Sequence, residues 1–504
     1  MKKILLIISL IIGTIACDSG FDELNTNPVD PISINPVFEL NNAIIQTSYP
    51  NSNLVYDMSI VQQIITPNSG VLTGGNFNQD NRNSTENFFT RYYQSVIRHT
   101  IDVINQVQDD PERSNLLNMA RIWQAYAFMV LTDQYGDVPY TEAGLGFIDL
   151  VSFPVYDTQE SIYTDLINEL TQASAALNAS GTIETSDALY AGDVEKWRKL
   201  GNSLLLRAGM RLSKVDPARA QQVASAAFAA GVITSNDDNT AIRHDNNYLN
   251  GTGNILNATE ANNYYLAKPF VDFLQNSNDP RLSVIAVRYV GAASGPEQVP
   301  EIASTDPSIQ IGMPVGNDDD GAVAAAVNDG LASFYDYSQA NRQTIVAPAT
   351  PMFNVTYAQT SLLLAEAAHR GWINGDAAEF YNAGVRAHME QLADYPGTPI
   401  IAPAAIDAFL TANPLQAGTE LQQINEQYWI ASFLNGPEAF ANFRRSGFPD
   451  LAPNPFPGSD LVSENFIRRM TYPSTELDIN ENIQQAISRQ GPDILDTRVW
   501  WDIQ

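Results

Sequence analysis

From residue 116 onward the apolar positions fall into helical steps. Leu116, Met119, Ala120, Trp123, Ala127 and Val130 recur at three- and four-residue intervals, and much of the opposite face is apolar too, which predicts a helix buried nearly all round. A second stripe carries Ile162, Leu166, Leu170, Ala173 and Leu177, and Asp157 with Glu160 three residues later supplies a start signal of the capping-box type. Trp197, Leu200, Gly201, Leu204 and Ala208 predict a third helix. Its opening matches the Trp-x2-Leu-Gly start of a tetratricopeptide repeat, with Leu204 where that repeat carries Tyr. In residues 357–389 two helical patterns flank the turn Gly371-Trp372-Ile373-Asn374-Gly375, and Asp376 with Glu379 caps the second. A further pair lies around residues 420–445, with Asn435-Gly436-Pro437 as its turn. The pattern predicts a mainly α protein of irregular tetratricopeptide-like hairpins, although unrelated antiparallel helices fit the periodicity almost as well.

Between the helical parts, residues 234–261 and 291–350 lack strong periodicity and are rich in Asn, Asp, Gly, Ser and Pro. Loops this long are functional or disordered in a compact protein. No linker divides the chain cleanly, so the expectation is one intertwined domain over residues 17–504, with a helical scaffold lobe and a loop-rich lobe.

The N-terminus changes the picture. Lys2 and Lys3 precede an apolar run over residues 4–12, and small residues lead to Cys17, so residues 1–16 read as a secretory signal peptide. The run is too short to span a bilayer, which takes about 20 apolar residues. Cys17 is the only cysteine. An odd cysteine directly after Ala16 matches the bacterial lipoprotein signal, which makes Cys17 the predicted lipid attachment; the alternative is an unmodified cysteine discarded with the leader. Stable anchoring needs more than one acyl chain. Residues 21–36, rich in Asn, Asp and Pro, read as an extended tether or a strapped arm.

Charge narrows the partners. The 504 residues carry a net charge of −30, or −32 once Lys2 and Lys3 leave with the leader (−30 − 2). Such a field repels nucleic acid and anionic lipid surfaces, and it disfavours a strongly anionic polysaccharide as ligand. The bland reading is solubility in salty water.

Catalytic signatures are missing. His99, His244, His369 and His388 form no HExxH pair, and one cysteine excludes a cysteine-based zinc site. No phosphate-binding loop, Gly-x-Ser-x-Gly elbow or Ser-x-x-Lys occurs. Asp318-Asp319-Asp320-Gly321 resembles a calcium loop, but that register places Gly316 first and Val327 twelfth, so it reads as a surface turn. A glycosidase needs only two suitably spaced carboxylates, and with 57 acidic residues their abundance says nothing. No catalytic residue, cofactor or metal is predicted.

Several strings resemble the SusD/RagB family of outer-membrane nutrient-binding lipoproteins. They are Leu131-Thr132-Asp133-Gln134-Tyr135-Gly136-Asp137-Val138-Pro139-Tyr140, Asp279-Pro280-Arg281-Leu282, Gly312-Met313-Pro314-Val315-Gly316, Leu363-Leu364-Ala365-Glu366-Ala367, Asn442-Phe443-Arg444-Arg445-Ser446-Gly447, Arg468-Arg469-Met470 and Val499-Trp500-Trp501-Asp502. They occur in family order across nearly the whole mature chain. The resemblance implies a SusD-like fold of four tetratricopeptide-like helical hairpins with a loop-rich second lobe, attachment to the outer membrane at the cell surface, capture of an oligo- or polysaccharide, and a SusC-like TonB-dependent transporter as partner. It does not imply an enzyme. Read physically, the strings are structural: Asp133 and Asp137 can accept from backbone or from the pairs Arg444-Arg445 and Arg468-Arg469, and Trp500-Trp501 reads as a packed C-terminal plug.

Sugar recognition needs flat aromatic faces beside Asn, Asp or Arg groups on rigidly held loops. The predicted glycan-binding residues, chosen on that chemistry, are Phe77 and Asn78, then Asn263, Tyr264 and Tyr265, then Phe334, Tyr335 and Tyr337. The competing functions are a lipoprotein glycosidase or lyase, which requires a cleft with paired carboxylates, and a helical-repeat adaptor without ligand.

Overall fold

The structure, a computed structural model, describes residues 34–48 and 52–503. The leader, Cys17 and most of the predicted arm lie outside the described residues.

The predicted helices are present. Ser114–Tyr135 is buried nearly all round, with Trp123 fully inside and its indole N–H donating to Thr47 Oγ1 at 3.0 Å. It packs against Arg98–Val107 on one side and Gln159–Ala176 on the other. The Gln159–Ala176 helix starts one residue later than the Asp157 cap implies. Thr158 is the N-cap and accepts from Ser161, while Asp157 turns back to take the backbone N–H groups of Tyr140 and Thr141. Val194–Arg211 follows, and Gly201 explains the repeat-like opening: a Cβ there would lie 2.0 Å from Ser174 Oγ, so glycine permits the close crossing. Tyr357–His369 and Ala377–Gln391 form the next hairpin, with Asp376 as the second cap. Glu420–Ala431 and Gly436–Ser446 complete four hairpins.

These helices pack in a circuit. The chain of neighbours runs from Ser114–Tyr135 through Gln159–Ala176, Val194–Arg211, Tyr357–His369 and Glu420–Ala431, and Gly436–Ser446 returns to Ser114–Tyr135. Ionised side chains close the circuit from inside. Arg211 bridges Asp133 at 3.1 Å and Glu438 at 2.6 Å, and the Trp501 indole donates to Asp133 at 2.9 Å. Arg445 grips Glu366 with two bonds of 2.8 and 2.7 Å. Buried charges are tolerated only when paired this fully.

Asp137 accepts from backbone as expected, taking the Gln159 N–H at 2.9 Å, but the arginine partners differ from those expected. Asp133 takes Arg211, and Arg444 reaches only the Asp133 carbonyl; Asp137 takes Arg489, and Arg469 takes Asp493. The aromatic plug is half right: Trp501 is fully buried, whereas Trp500 is half-buried beside Tyr163.

The second lobe is loop-rich, with antiparallel pairs of two to four residues such as Ile64–Ile65 with Tyr265–Leu266, and a three-stranded sheet ordered Ala303–Ser304, Ala286–Tyr289, Gln339–Ala340. Two small apolar clusters sit under it. The expected surface turn at Asp318-Gly321 is instead a helix start: Asp318 caps Asp319–Asn328. Among the described residues no helix is long and apolar enough to cross a membrane.

Candidate functional site

The helix Arg82–Tyr92 sorts its side chains by face. Phe88, Phe89 and Tyr92 go into the core, while Asn83 and Asn87, four residues apart, stand exposed on the outer face. Asn81 is the N-cap, accepting from the Ser84 N–H, and its amide donates to the Thr73 carbonyl at 2.7 Å. That bond ties the helix start to the preceding loop. The loop is seated on the helical turns of residues 53–60. Gly74 has φ +154°, and a Cβ there would lie 2.9 Å from the Val55 carbonyl oxygen. The Tyr56 hydroxyl reaches the Gln79 carbonyl at 3.0 Å.

Loop and helix start enclose an open depression of about 810 Å³, lined by Ser52, Val71, Thr73, Asp80, Arg82, Asn83, Ser84 and Asn87 among others. Arg82 is fixed on its wall, donating to Asp80 at 3.0 Å, to Asp493 at 2.7 Å and to the Tyr472 carbonyl at 2.9 Å. Burial works against its charge, but the bonds and charges of Asp493 and Asp80 outweigh it and raise the Arg82 pKa. The amides of Asn83 and Asn87 and the Ser84 hydroxyl have no hydrogen-bond partner among the described residues, and the Ser52 hydroxyl is buried without one. Val71, 82% exposed, adds an apolar surface. Free amides and hydroxyls beside a pre-paired arginine suit a ligand rich in hydroxyl groups. Asp80 is the one carboxylate on the lining, and both its oxygens are occupied, by Arg82 and by the Thr471 hydroxyl.

The predicted binding residues divide sharply. Phe77 and Asn78 are buried, Phe77 edge-on to Phe456 at 4.6 Å and Asn78 giving its carbonyl to Asp460, so neither faces the groove they adjoin. Tyr264 and Tyr265 are buried as well, the latter donating to the Asn262 carbonyl at 2.7 Å. Tyr337 is buried, with its hydroxyl on Asp329 at 2.7 Å. All five are spent on core packing, and a buried side chain offers no open face to a sugar. Asn263, Phe334 and Tyr335 remain half-buried; the Asn263 amide is held by Glu260 at 2.6 Å, and the two rings lie 4.2 Å apart, centroid to centroid. They sit on the second lobe, away from the depression's lining. The depression instead brings together Arg82, Asn83, Ser84 and Asn87, none of them among the predicted binding residues. Their signal was the polar face left when Phe88, Phe89 and Tyr92 are assigned to the core.

The helical-hairpin scaffold thus carries a loop-built polar groove, and no metal-ligating cluster occurs among the described residues. Residues 28–473 match the SusD-like family described as starch-binding and associating with the outer membrane, and the chain belongs to that family of glycan-binding proteins. Among solved structures it is similar to a chitin-binding protein at 32% identity and TM-score 0.82, covering 93% of this chain and 100% of that one. It is also similar to a SusD homologue from Bacteroides uniformis at 25% identity and TM-score 0.75, covering 93% and 99%. A chitin-binding SusD homologue from Flavobacterium johnsoniae shares the fold at 24% identity and TM-score 0.76, covering 93% and 99%. No sequence match was found among curated proteins.

Proposed function

We propose that this protein is a lipid-anchored surface receptor that captures a neutral glycan in the depression at the start of the Arg82–Tyr92 helix and passes it to a TonB-dependent transporter. The observation that carries the reading is the set of unpartnered groups, Asn83, Ser84 and Asn87, beside a fixed Arg82. Each can exchange water for a sugar hydroxyl without breaking a bond inside the protein. A neutral ligand is favoured because Arg82 is already matched by two carboxylates, Asp80 and Asp493. The 32%-identical chitin-binding relative makes an N-acetylglucosamine polymer the first candidate. Phe334 and Tyr335, with Asn263, offer a second contact for a long chain, in keeping with the half-exposed ring pair. Capture without cleavage is supported by the groove's single, doubly occupied carboxylate, since glycoside hydrolysis works with two. Acylation at Cys17 supplies the tether, and the family's association with the outer membrane supports a partner in that membrane.

The test is affinity electrophoresis of residues 18–504 through gels containing soluble chitin derivatives, starch, a galactomannan or polygalacturonate, with product analysis on each. Retardation by a neutral polymer without released sugar is the expected result. Sugar release would sink the non-enzymatic reading, and retardation by polygalacturonate alone would sink the neutral one.

A further inference from the structure

An apolar surface stands apart from the groove. Of the nineteen large apolar side chains exposed among the described residues, five fall within residues 147–155: Phe147 at 86%, Leu150 at 82%, Phe153 at 55%, Val155 at 39% and Ile148 at 37%. The loop that carries them is held in shape. Asp157 takes the backbone N–H groups of Tyr140 and Thr141 at its base, and Glu142 takes that of Val155 at 2.9 Å. The amides of Asn480 and Asn482 hold the carbonyls of Pro154 and Phe153 at 3.0 and 2.9 Å. Leu150 keeps φ +58°, a conformation that side chains seldom adopt and that persists where the surroundings fix it. A pinned loop that turns its apolar residues outward is built for a partner, since scattered exposure would need no such support.

The position of the chain's entry identifies the partner. The first described helix is Pro36–Gln46, and its Glu39 lines one depression of about 270 Å³ together with Arg98, His99, Asp102, Gly144, Phe147 and Ile148. The described chain therefore begins, at residue 34, five residues from this depression's Glu39, and Ile34 and Phe38 near it are both more than half exposed. A chain lipidated at Cys17 would be tethered to the body through the residue that precedes this helix, Asn35. The stretch from residue 17 to 34 spans at most about 60 Å when extended. Tethering over that distance raises the local concentration of lipid enough for a few inserted side chains to dock the body. We propose that the 144–155 loop, with Phe147 and Leu150 at its tip, inserts into the outer leaflet beside the anchor and fixes the protein's orientation on the membrane. The inference rests on the anchored-receptor reading above. Net charge does not prevent it: repulsion from the rest of the body is screened beyond about 10 Å at physiological salt, and residues 143–156 carry one charge, Asp149. Apolar insertion of this kind depends on buried area, with no call for basic residues.

Because Cys17 is the only cysteine, residues 18–504 are thiol-free, and Phe147→Cys, Leu150→Cys or Ile400→Cys each accepts one environment-sensitive fluorophore. Ile400 is the control, 77% exposed but in the segment between the helices Ala377–Gln391 and Pro403–Ala412. Each labelled protein is held on phosphatidylcholine vesicles through an N-terminal hexahistidine tag and a nickel-chelating lipid. The expected result is a blue shift and several-fold rise in emission at 147 and 150, quenched by brominated acyl chains, with no change at 400. No shift at 147 and 150 overturns the proposal, as does an equal shift at all three positions. A concentration-dependent shift without vesicles overturns it in favour of a second copy of the chain. The tag replaces the acyl group, so the anchor is judged separately: an unacylated N-terminal peptide in protein recovered from membranes would sink the anchor while leaving the loop result standing.

Discussion

Asp57 lies under the groove, in the turns that seat its loop, and it is fully buried with one weak compensation. Gln134 donates to its Oδ1 at 2.7 Å, while Oδ2 has no partner. Burial pushes its pKa from the ordinary 3.8 to about 7, and the Gln134 bond and the Arg444 charge pull the other way without winning. The sign follows from proton counts. Below about pH 3.8 both the folded and unfolded chains hold the proton and nothing is lost; between about 3.8 and 7 the unfolded chain has released it while the folded one keeps it, so stability falls as pH rises. Above about 7 the loss is complete. At about 1.4 kcal/mol per tenfold change in proton affinity, the gap amounts to roughly 4 kcal/mol. Asp57→Asn cannot ionise, and its amide can donate to the buried, unpartnered Gln134 Oε1. The variant forgoes some attraction to Arg444, which leaves a net gain of about 2–4 kcal/mol at pH 8 that shrinks to under about 1 kcal/mol at pH 4. Urea midpoints of wild type and variant at half-unit pH intervals measure the difference, in which the other titrating carboxylates cancel. A difference that stays constant with pH, or a variant less stable at pH 8, would refute the assignment.

Other outcomes follow from the same structure. Glu366→Gln strands Arg445 in the core and should cost about 3–5 kcal/mol in urea unfolding, a loss below about 1 kcal/mol being the contrary result. Burial alone would raise the Glu366 pKa, but the Arg445 charge and bonds hold it at about 2, so this contribution is present above pH 4.5 and is lost as pH falls toward 2; the variant should lack that part of the acid limb. Asn83→Ala with Asn87→Ala removes two unpartnered amides, each worth about 0.5–1.5 kcal/mol to a bound hydroxyl, which predicts a roughly 5- to 150-fold weaker glycan affinity with an unchanged urea midpoint. Undiminished gel retardation would place the ligand elsewhere. Tyr335→Ala should weaken binding of long polymers by less than about tenfold while leaving short oligosaccharides unaffected, a split that titration calorimetry can read.

Which parts of this architecture could be read in advance depends on how each segment earns its burial. Residues 116–130 and 357–389 bury through apolar side chains at helical spacing, so the first helix, the second segment's hairpin and the Asp376 cap are legible. The helix Arg82–Tyr92 hides behind Asn, Ser and Thr, residues that more often mark turns, and only three large rings give it away. Asp318-Asp319-Asp320-Gly321 reads as a turn, not a helix start, because Asp318 serves equally as a turn former and an N-cap. Ion pairs such as Asp133 with Arg211 join positions 78 residues apart, and nothing local selects Arg211 over Arg444, 311 residues away.

Most of the predicted binding residues are buried for a related reason. A loop-rich lobe must bury apolar area of its own to offset the entropy of ordering long segments, and aromatic rings supply most area per residue. Tyr265 and Tyr337 are therefore consumed in a small cluster under the lobe, and Phe77 by Phe456, before any ligand arrives. What stays free is the residue with little to bury. Asn83, Ser84 and Asn87 are left at the surface by a helix whose rings have gone inward and whose cap, Asn81, already serves the backbone. In a chain this rich in loops, the polar side chains on the outer turn of a helix that borders a depression are thus the groups left open to solvent, while most of the loop aromatics are not. The half-buried pair Phe334 and Tyr335 is where that rule meets its counter-case, since the rings are partly spent on packing and partly open.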